Sequence, residues 1–521
     1  MFNGRLAFED FDSPLGLVDG GIFLGSSYVI PVAHRLLGTS VIESRERVAI
    51  LSWERLADEP EGVGHEGALS DGALQARIEA MEAHPLDWAL LVIDRAARMV
   101  RYTASPVVSI PVFVRADAGD VSIDWDYARL LGTGEAEIVW DVALAQMAGL
   151  PVYGPRTVVA GVYRATAGAT LVAGPRGVEA VLPTPIVHLG AQEVAAGADI
   201  ERLLFDAVCA IVAARPLEPE RTAVEMSGGM DSALTASAAA AVLGPGLMSV
   251  GAQFSGAMGE AQRARRLLLC GQGAFDDLSM PAERFAPFSP TSLRRVRYGV
   301  WPEDENYPEM FEAMFGMLRA AGIDALISGF GGDELYFSYL GEEEEAAAEG
   351  AGLPCPFLTP RGREMAEAAR TSYPRGWLQE SCWQSAASQA QRVLRYGLWP
   401  VYPYHHPALA RFVSRLPYAY RRDRALLRRT LTSVLGAPAF EAGYVKESFD
   451  AVAVRGIVEN RDYLIDLVRR SPLARHPEVD DEAIVAALEG DVAGLERDRF
   501  NALFRVLKIV CFFQGRAPTE R

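Results

Sequence analysis

Ser227-Gly228-Gly229-Met230-Asp231-Ser232 separates a short apolar run, Ala223 to Met226, from a small-residue stretch, Ala233 to Leu243, that reads as a helix. Strand, glycine loop and helix in that order make a phosphate-binding turn. Glycines at 228 and 229 let backbone amides close on an anion, the helix N-terminus adds positive potential, and Ser227 and Ser232 supply hydroxyl donors. A carboxylate at Asp231 is out of place against bare phosphate but fits a pyrophosphate that carries Mg²⁺. The plain alternative is an ordinary strand-to-helix turn capped by serine.

Strand and helix patterns alternate on either side of this loop. Strands are predicted over 223–226, 248–254 and 325–328, and helices over 233–243, 261–270 and 308–321. Such alternation gives an α/β fold with a doubly wound parallel sheet, whose ligands bind beyond the carboxyl ends of the strands. After residue 360 the pattern turns helical, over 377–395, 408–416 and 424–435, and is expected to cover one side of the site. Upstream, Trp88 to Asp94, Met99 to Thr103 and Val107 to Val114 are β-rich runs split by the turns Asp94 to Arg98 and Ala116 to Asp120. These divide the chain into a β-rich domain over 1–195 and a larger α/β domain over 196–521.

The 521 residues carry a formal net charge of -18, which repels a nucleic-acid backbone and turns the reading toward a small molecule or peptide. Five scattered cysteines without a C-x-x-C spacing fit reduced thiols in a cytoplasm. No stretch has the length and apolarity of a membrane span or secretion signal. The acidic, glycine-flanked insert from Gly341 to Pro354 reads as a solvated loop, with a lid or a docking patch for a basic peptide as the functional alternative. Arg421, Arg422, Arg424, Arg428 and Arg429 read as a solvated helix face from which one side chain at most meets a phosphate. His405 and His406 lack a third metal ligand, and Trp377, Trp383 and Trp399 read as core.

A second glycine-rich constellation, Ser328-Gly329-Phe330-Gly331-Gly332-Asp333-Glu334, also follows a short buried strand. Its Asp333 offers the same Mg²⁺ a second carboxylate, and two carboxylates with phosphate oxygens and water meet magnesium's octahedral demand. The pair of motifs, about a hundred residues apart, resembles the ATP-pyrophosphatase synthetase domain of the asparagine synthetase B superfamily. Members of that superfamily activate a carboxyl group as an acyl-adenylate. The resemblance implies ATP and Mg²⁺ as cofactors: Ser227, Gly228, Gly229, Asp231 and Ser232 around the phosphates, Asp231 and Asp333 on the metal, and Val250, Ser328 and Gly329 around the adenine. It also implies that the first domain is a degenerate hydrolase-like domain, because glutamine-dependent members use an N-terminal cysteine as nucleophile. Phe2 follows Met1 here, and the first cysteine is Cys209.

With glutamine unused, the attacking amine is expected to belong to the substrate, as in β-lactam synthetases and the cyclases of lasso peptides. Position 330 resembles a site that is Glu in asparagine synthetases and Tyr in β-lactam synthetases. A phenyl ring has no acceptor and suits an apolar, bulky substrate instead. The resemblance therefore favours a lasso peptide macrolactam synthetase, with a precursor peptide as substrate and a leader-binding protein and leader peptidase as partners. Small-molecule amide or β-lactam synthesis, an ammonia-dependent asparagine synthetase-like activity and an inactive nucleotide-binding scaffold stand as alternatives. Tyr444-Val445-Lys446-Glu447-Ser448 resembles the segment that brings a catalytic lysine over the phosphates, with Lys446 stabilising charge and Glu447 orienting it or simply solvated. Phe330, Tyr402 and Tyr404 are expected to line the substrate side.

Overall fold

A computed structural model describes residues 1–59, 62–131, 137–150, 152–188, 190–295, 301–336, 355–370, 374, 376–441 and 444–514. The acidic insert lies outside the described residues.

Two seven-stranded, mainly antiparallel sheets occupy the first part of the chain, from Phe2–Ala7 to Gly177–Val181. Their alternating strands face one another, so that Leu6, Val29, Val41, Ile50, Leu91 and Val121 are all buried in one core. Trp88–Asp94 and Met99–Ala104 pair as the expected hairpin, with Asp94 accepting from the Ala97 amide at 2.8 Å across the turn. The run from Val107 forms strand only over Val112–Ala116, because the preceding residues are spent on a corner held by Ser105 and Asp87.

The second part is built on a five-stranded parallel sheet in the order Asp276–Pro281, Met248–Gln253, Thr222–Glu225, Ala325–Ile327, Trp399–Val401. In chain order the strands run third, second, first, fourth, fifth, so the direction of winding reverses between Thr222–Glu225 and Ala325–Ile327. A crevice opens at such a switch point because successive crossovers leave on opposite faces. Both glycine loops emerge there: Val224 is in register with Ile327, and each strand then hands its chain to a loop.

Alternate residues of the central strand serve the two faces. Val224 packs among Ala233, Ala236 and Leu426 on one side, and Ala223 among Met314, Leu318 and Leu326 on the other. The helix Met230–Leu243, nearly all Ala and small residues, lies close on the sheet, and Ile200–Ala213 and Ala425–Leu435 pack outside it. A third core joins C-terminal helices, chiefly Arg461–Arg470 and Arg497–Phe513, to Trp140–Ala148 of the first part. Buried polar bonds tie the sandwich to the parallel sheet as well: Glu54 accepts from Arg215 at 2.6 Å and from the Trp399 indole at 2.6 Å. Among the described residues no helix is long and apolar enough to cross a membrane.

Candidate active site

The first loop is braced from within before any ligand is considered. Gly228 takes φ +89°, a left-handed turn that a side chain resists, and Gly229 starts the helix Met230–Leu243. The Ser232 hydroxyl swings back to accept the Ser227 amide at 3.1 Å, and the Ser227 hydroxyl accepts the Gly229 amide at 3.1 Å. Outside it, Gln262 donates to the Ser227 carbonyl at 2.7 Å and Arg265 to the Gly228 carbonyl at 2.7 Å. Both belong to the helix Gly256–Gly273 that follows the second strand.

The second loop meets the first at its glycines. A Cβ on Gly329 would stand 2.7 Å from the Ser232 amide nitrogen, and one on Gly332 would stand 2.5 Å from Asp231 Oδ1. Only bare backbone lets Asp333 come alongside Asp231. The two carboxylates then share one cation: Arg424 lies 2.9 Å from Asp231 Oδ2 and also contacts Asp333. Lys446 Nζ approaches the far oxygen of Asp333 at 3.4 Å. Asp231 Oδ1 is buried with no hydrogen-bond partner among the described residues. Burial, then the neighbouring charge of Asp333, pushes the Asp231 carboxyl up to about 7, and Arg424 opposes that rise. An unpartnered buried oxygen beside a second carboxylate could help to hold a hard divalent cation such as Mg²⁺.

Ser227, Gly229, Asp231, Ser232, Ser328, Gly329, Phe330, Asp333, Lys446 and Glu447 line one cleft. Gly228 supports it from behind through Arg265. Glu447 is not solvated: it forms a buried ion pair with Arg265, whose guanidinium also lies 5.0 Å from the centre of the Tyr444 ring. That pair clamps the lysine-bearing segment to the phosphate loop. The only other lysine, Lys508, bonds Asn306 at 2.8 Å in another part of the protein.

Three expected positions lie elsewhere. Val250 is fully buried and its carbonyl takes the Met226 amide at 2.8 Å, so Ala252, further along the same strand, and Phe254, just past its end, face the cleft instead. Tyr402 and Tyr404 do not line the cleft. Each sends its hydroxyl inward, Tyr402 to Gln389 at 3.2 Å and Tyr404 to the Asp231 carbonyl at 3.0 Å, because a buried phenol needs an acceptor. Tyr404 thereby braces the first turn that carries Asp231.

Gln262, Arg265 and Arg424 are site residues that sequence reasoning missed. Gln262, Arg265 and Arg266 stand at helical spacing on a face that should be apolar, and polar groups there are a readable sign of bonds to a loop. Arg424 gave no such sign within its run of arginines.

Residues 204–401 match the family model of asparagine synthase. The matched span holds both glycine loops and ends before Arg424 and Lys446. No curated protein matches the chain. The match supports an ATP-dependent carbon–nitrogen ligase of the asparagine synthetase superfamily.

Proposed function

We propose that the protein activates a side-chain carboxylate of an Asp or Glu in a precursor peptide with ATP, and closes a macrolactam with the peptide's N-terminal amine. The observation that carries the ligase part is the Asp231–Asp333 pair, brought by two glycine loops to the switch point of the parallel sheet. Among the described residues no three His, Cys, Asp or Glu gather to hold a metal, so the chain offers Mg²⁺ two carboxylates and leaves the remaining positions to phosphate oxygens and water. With ATP bound, the nucleotide supplies the leaving group that makes the carboxyl reactive. Loop amides and Ser227 hold the phosphates, Lys446 stabilises developing negative charge, and the Arg265–Glu447 pair fixes the segment that carries Lys446.

The peptide part rests on the wall of the cleft. Phe330, half-buried, packs its edge toward Tyr402 with ring centroids 6.4 Å apart, and Phe254, Phe311 and Phe449 complete an aromatic lining. Such a lining favours irregular apolar side chains, and a prefolded chain gains from intramolecular attack, where orientation is worth about 7–11 kcal/mol in the best cases. A leader-binding protein and a leader peptidase belong to this reading as partners. The deciding assay is mass spectrometry of a leaderless candidate peptide incubated with ATP and Mg²⁺. Loss of one water with AMP release is expected. Conversion of free amino acids or small β-amino acids, with no peptide dehydrated, would replace the cyclase by a small-molecule ligase.

A further inference from the structure

Five buried carboxylates in this protein are paired with arginine. Glu54 meets Arg215, Asp304 meets Arg392, Asp324 meets Arg35, Glu309 meets Arg294 and Glu447 meets Arg265. Burying a carboxylate is costly unless a cation or several donors offset its lost hydration, and Asp87, the buried carboxylate without an arginine among the described residues, takes the Ser105 hydroxyl and the Ser109 amide and feels the N-terminal amine.

Glu225 departs from it. It is the last residue of the central strand, two positions before the phosphate loop, and it lines the cleft. Its carboxyl receives the Gln389 amide at 3.1 and 3.3 Å, the nearby Ser328 hydroxyl helps to stabilise its charge, and no Lys or Arg among the described residues pairs with it. Burial raises its pKa. The support is itself fixed. Gln389 is fully buried, and its carbonyl takes the Tyr402 hydroxyl at 3.2 Å, which leaves its amide no choice but to point at Glu225. Ser328 lies two residues before Phe330 and accepts the Phe330 amide at 3.3 Å. A carboxyl with neutral donors only is thus held open to the cleft beside the ring that offers no acceptor, with Phe311 on the same wall.

We propose that Glu225 is the anchor of an amine subsite, taking the primary ammonium of the attacking substrate while the flanking phenyl rings take an adjoining apolar group. A cation is the one partner this carboxyl lacks, and an ammonium on an apolar stem is the chemistry that satisfies the carboxyl and its aromatic surroundings together. The inference rests on the ligase reading for its purpose but not for its chemistry, since the carboxyl that defines the subsite lies on the central strand, outside both glycine loops.

The test uses the full-length protein and two separate titrations. Benzylammonium should bind wild type saturably by ligand-observed NMR, with benzyl alcohol at least about tenfold weaker. Glu225→Gln, which keeps the shape and one acceptor oxygen but removes the charge, should weaken benzylammonium about tenfold or more while MgATP binding stays within about twofold of wild type. Equal affinity for the amine and the alcohol, or unchanged amine binding by the variant, would overturn the proposal, as would no amine binding by wild type. If the variant does not fold, the comparison of amine with alcohol on wild type still decides. A Gly-Phe amide that competes with benzylammonium, while its N-acetyl form does not, points to a peptide amine; competition by small amines alone points to a free amine. Failure of wild type to bind MgATP, with amine binding intact, would remove the ligase reading and leave the subsite.

Discussion

Arg424 lies between Asp231 and Asp333, 2.9 Å from the first and in contact with the second, so that one guanidinium spans the two carboxylates of the crevice. The backbone is arranged to put it there. Asp423 and Arg424 both take left-handed φ, +49° and +54°, immediately before the helix Ala425–Leu435. Two such residues in a row hold about 1–3 kcal/mol of strain each, which the surrounding contacts must offset. A tethered cation of this kind keeps like charges together and must give way when a divalent ion takes their oxygens.

Competition of that kind has a sign. Arg424→Met should bind Mn²⁺, in the absence of nucleotide, about tenfold more tightly than wild type, read by electron spin resonance of the free ion. Unchanged or weaker binding would mean that the guanidinium does not contend for the carboxylates.

The carboxylates themselves differ in exposure and should differ in consequence. Asp231→Asn and Asp333→Asn are each expected to lower substrate-dependent pyrophosphate release by about a hundredfold or more, with the fold intact by circular dichroism. Asp231→Asn also removes a buried charge, so its melting temperature should equal or exceed wild type. Full turnover in either variant would show that the pair does not serve the metal.

Lys446 is largely exposed, and its reach over Asp333 depends on the Arg265–Glu447 clamp beneath it. Lys446→Ala should cut turnover about a hundredfold with little change in MgATP affinity or stability. Glu447→Ala leaves a buried guanidinium unpaired and should cost about 3–5 kcal/mol of stability in addition to turnover. Identical effects of the two substitutions on melting would contradict this division of labour.

How much of this was legible before the fold was known depends on where polar groups sit. Both glycine loops, the central strands and the alternation around them stand in the sequence because buried strands and phosphate turns use few residue types. The two edge strands did not. Asp276–Pro281 begins with two acids, as a solvated edge permits, and Trp399–Val401 carries Pro400, which suits an edge better than a sheet interior. Tyr402 and Tyr404 looked like groove residues because sequence gives the ring and not the direction of its hydroxyl. Arg424 was hidden by its neighbours: which arginine in a run turns inward is set by two left-handed residues that no residue type announces.

His405 offers a test of the packing behind the second loop. It is fully buried, neither ring nitrogen has a hydrogen-bond partner among the described residues, and burial pulls its pKa down to about 3. An unfolded chain takes up this proton near pH 6.5, whereas the folded protein resists it down to about 3. The unfolded state therefore binds more protons across that window, and stability falls as pH drops through it. The melting temperature of His405→Leu should decline less than that of wild type between neutral pH and about pH 5. Parallel slopes would show that the histidine does not set the acid limb.

Phe330 separates the substrate classes. If an apolar peptide side chain rests on this ring, Phe330→Glu places a second carboxylate on the aromatic wall of the cleft that Glu225 also lines. Desolvating it disfavours peptide binding by several kcal/mol unless it takes up a proton, whereas the phosphate loop, Asp231 and Asp333 are untouched. Peptide dehydration followed by mass spectrometry should collapse by about a hundredfold or more while MgATP affinity stays near wild type. Phe330→Leu, which keeps the wall apolar, should retain most of the activity. If Phe330→Glu instead leaves peptide conversion intact, the ring does not face the peptide, and the substrate must enter over the Phe254 and Phe449 side of the cleft.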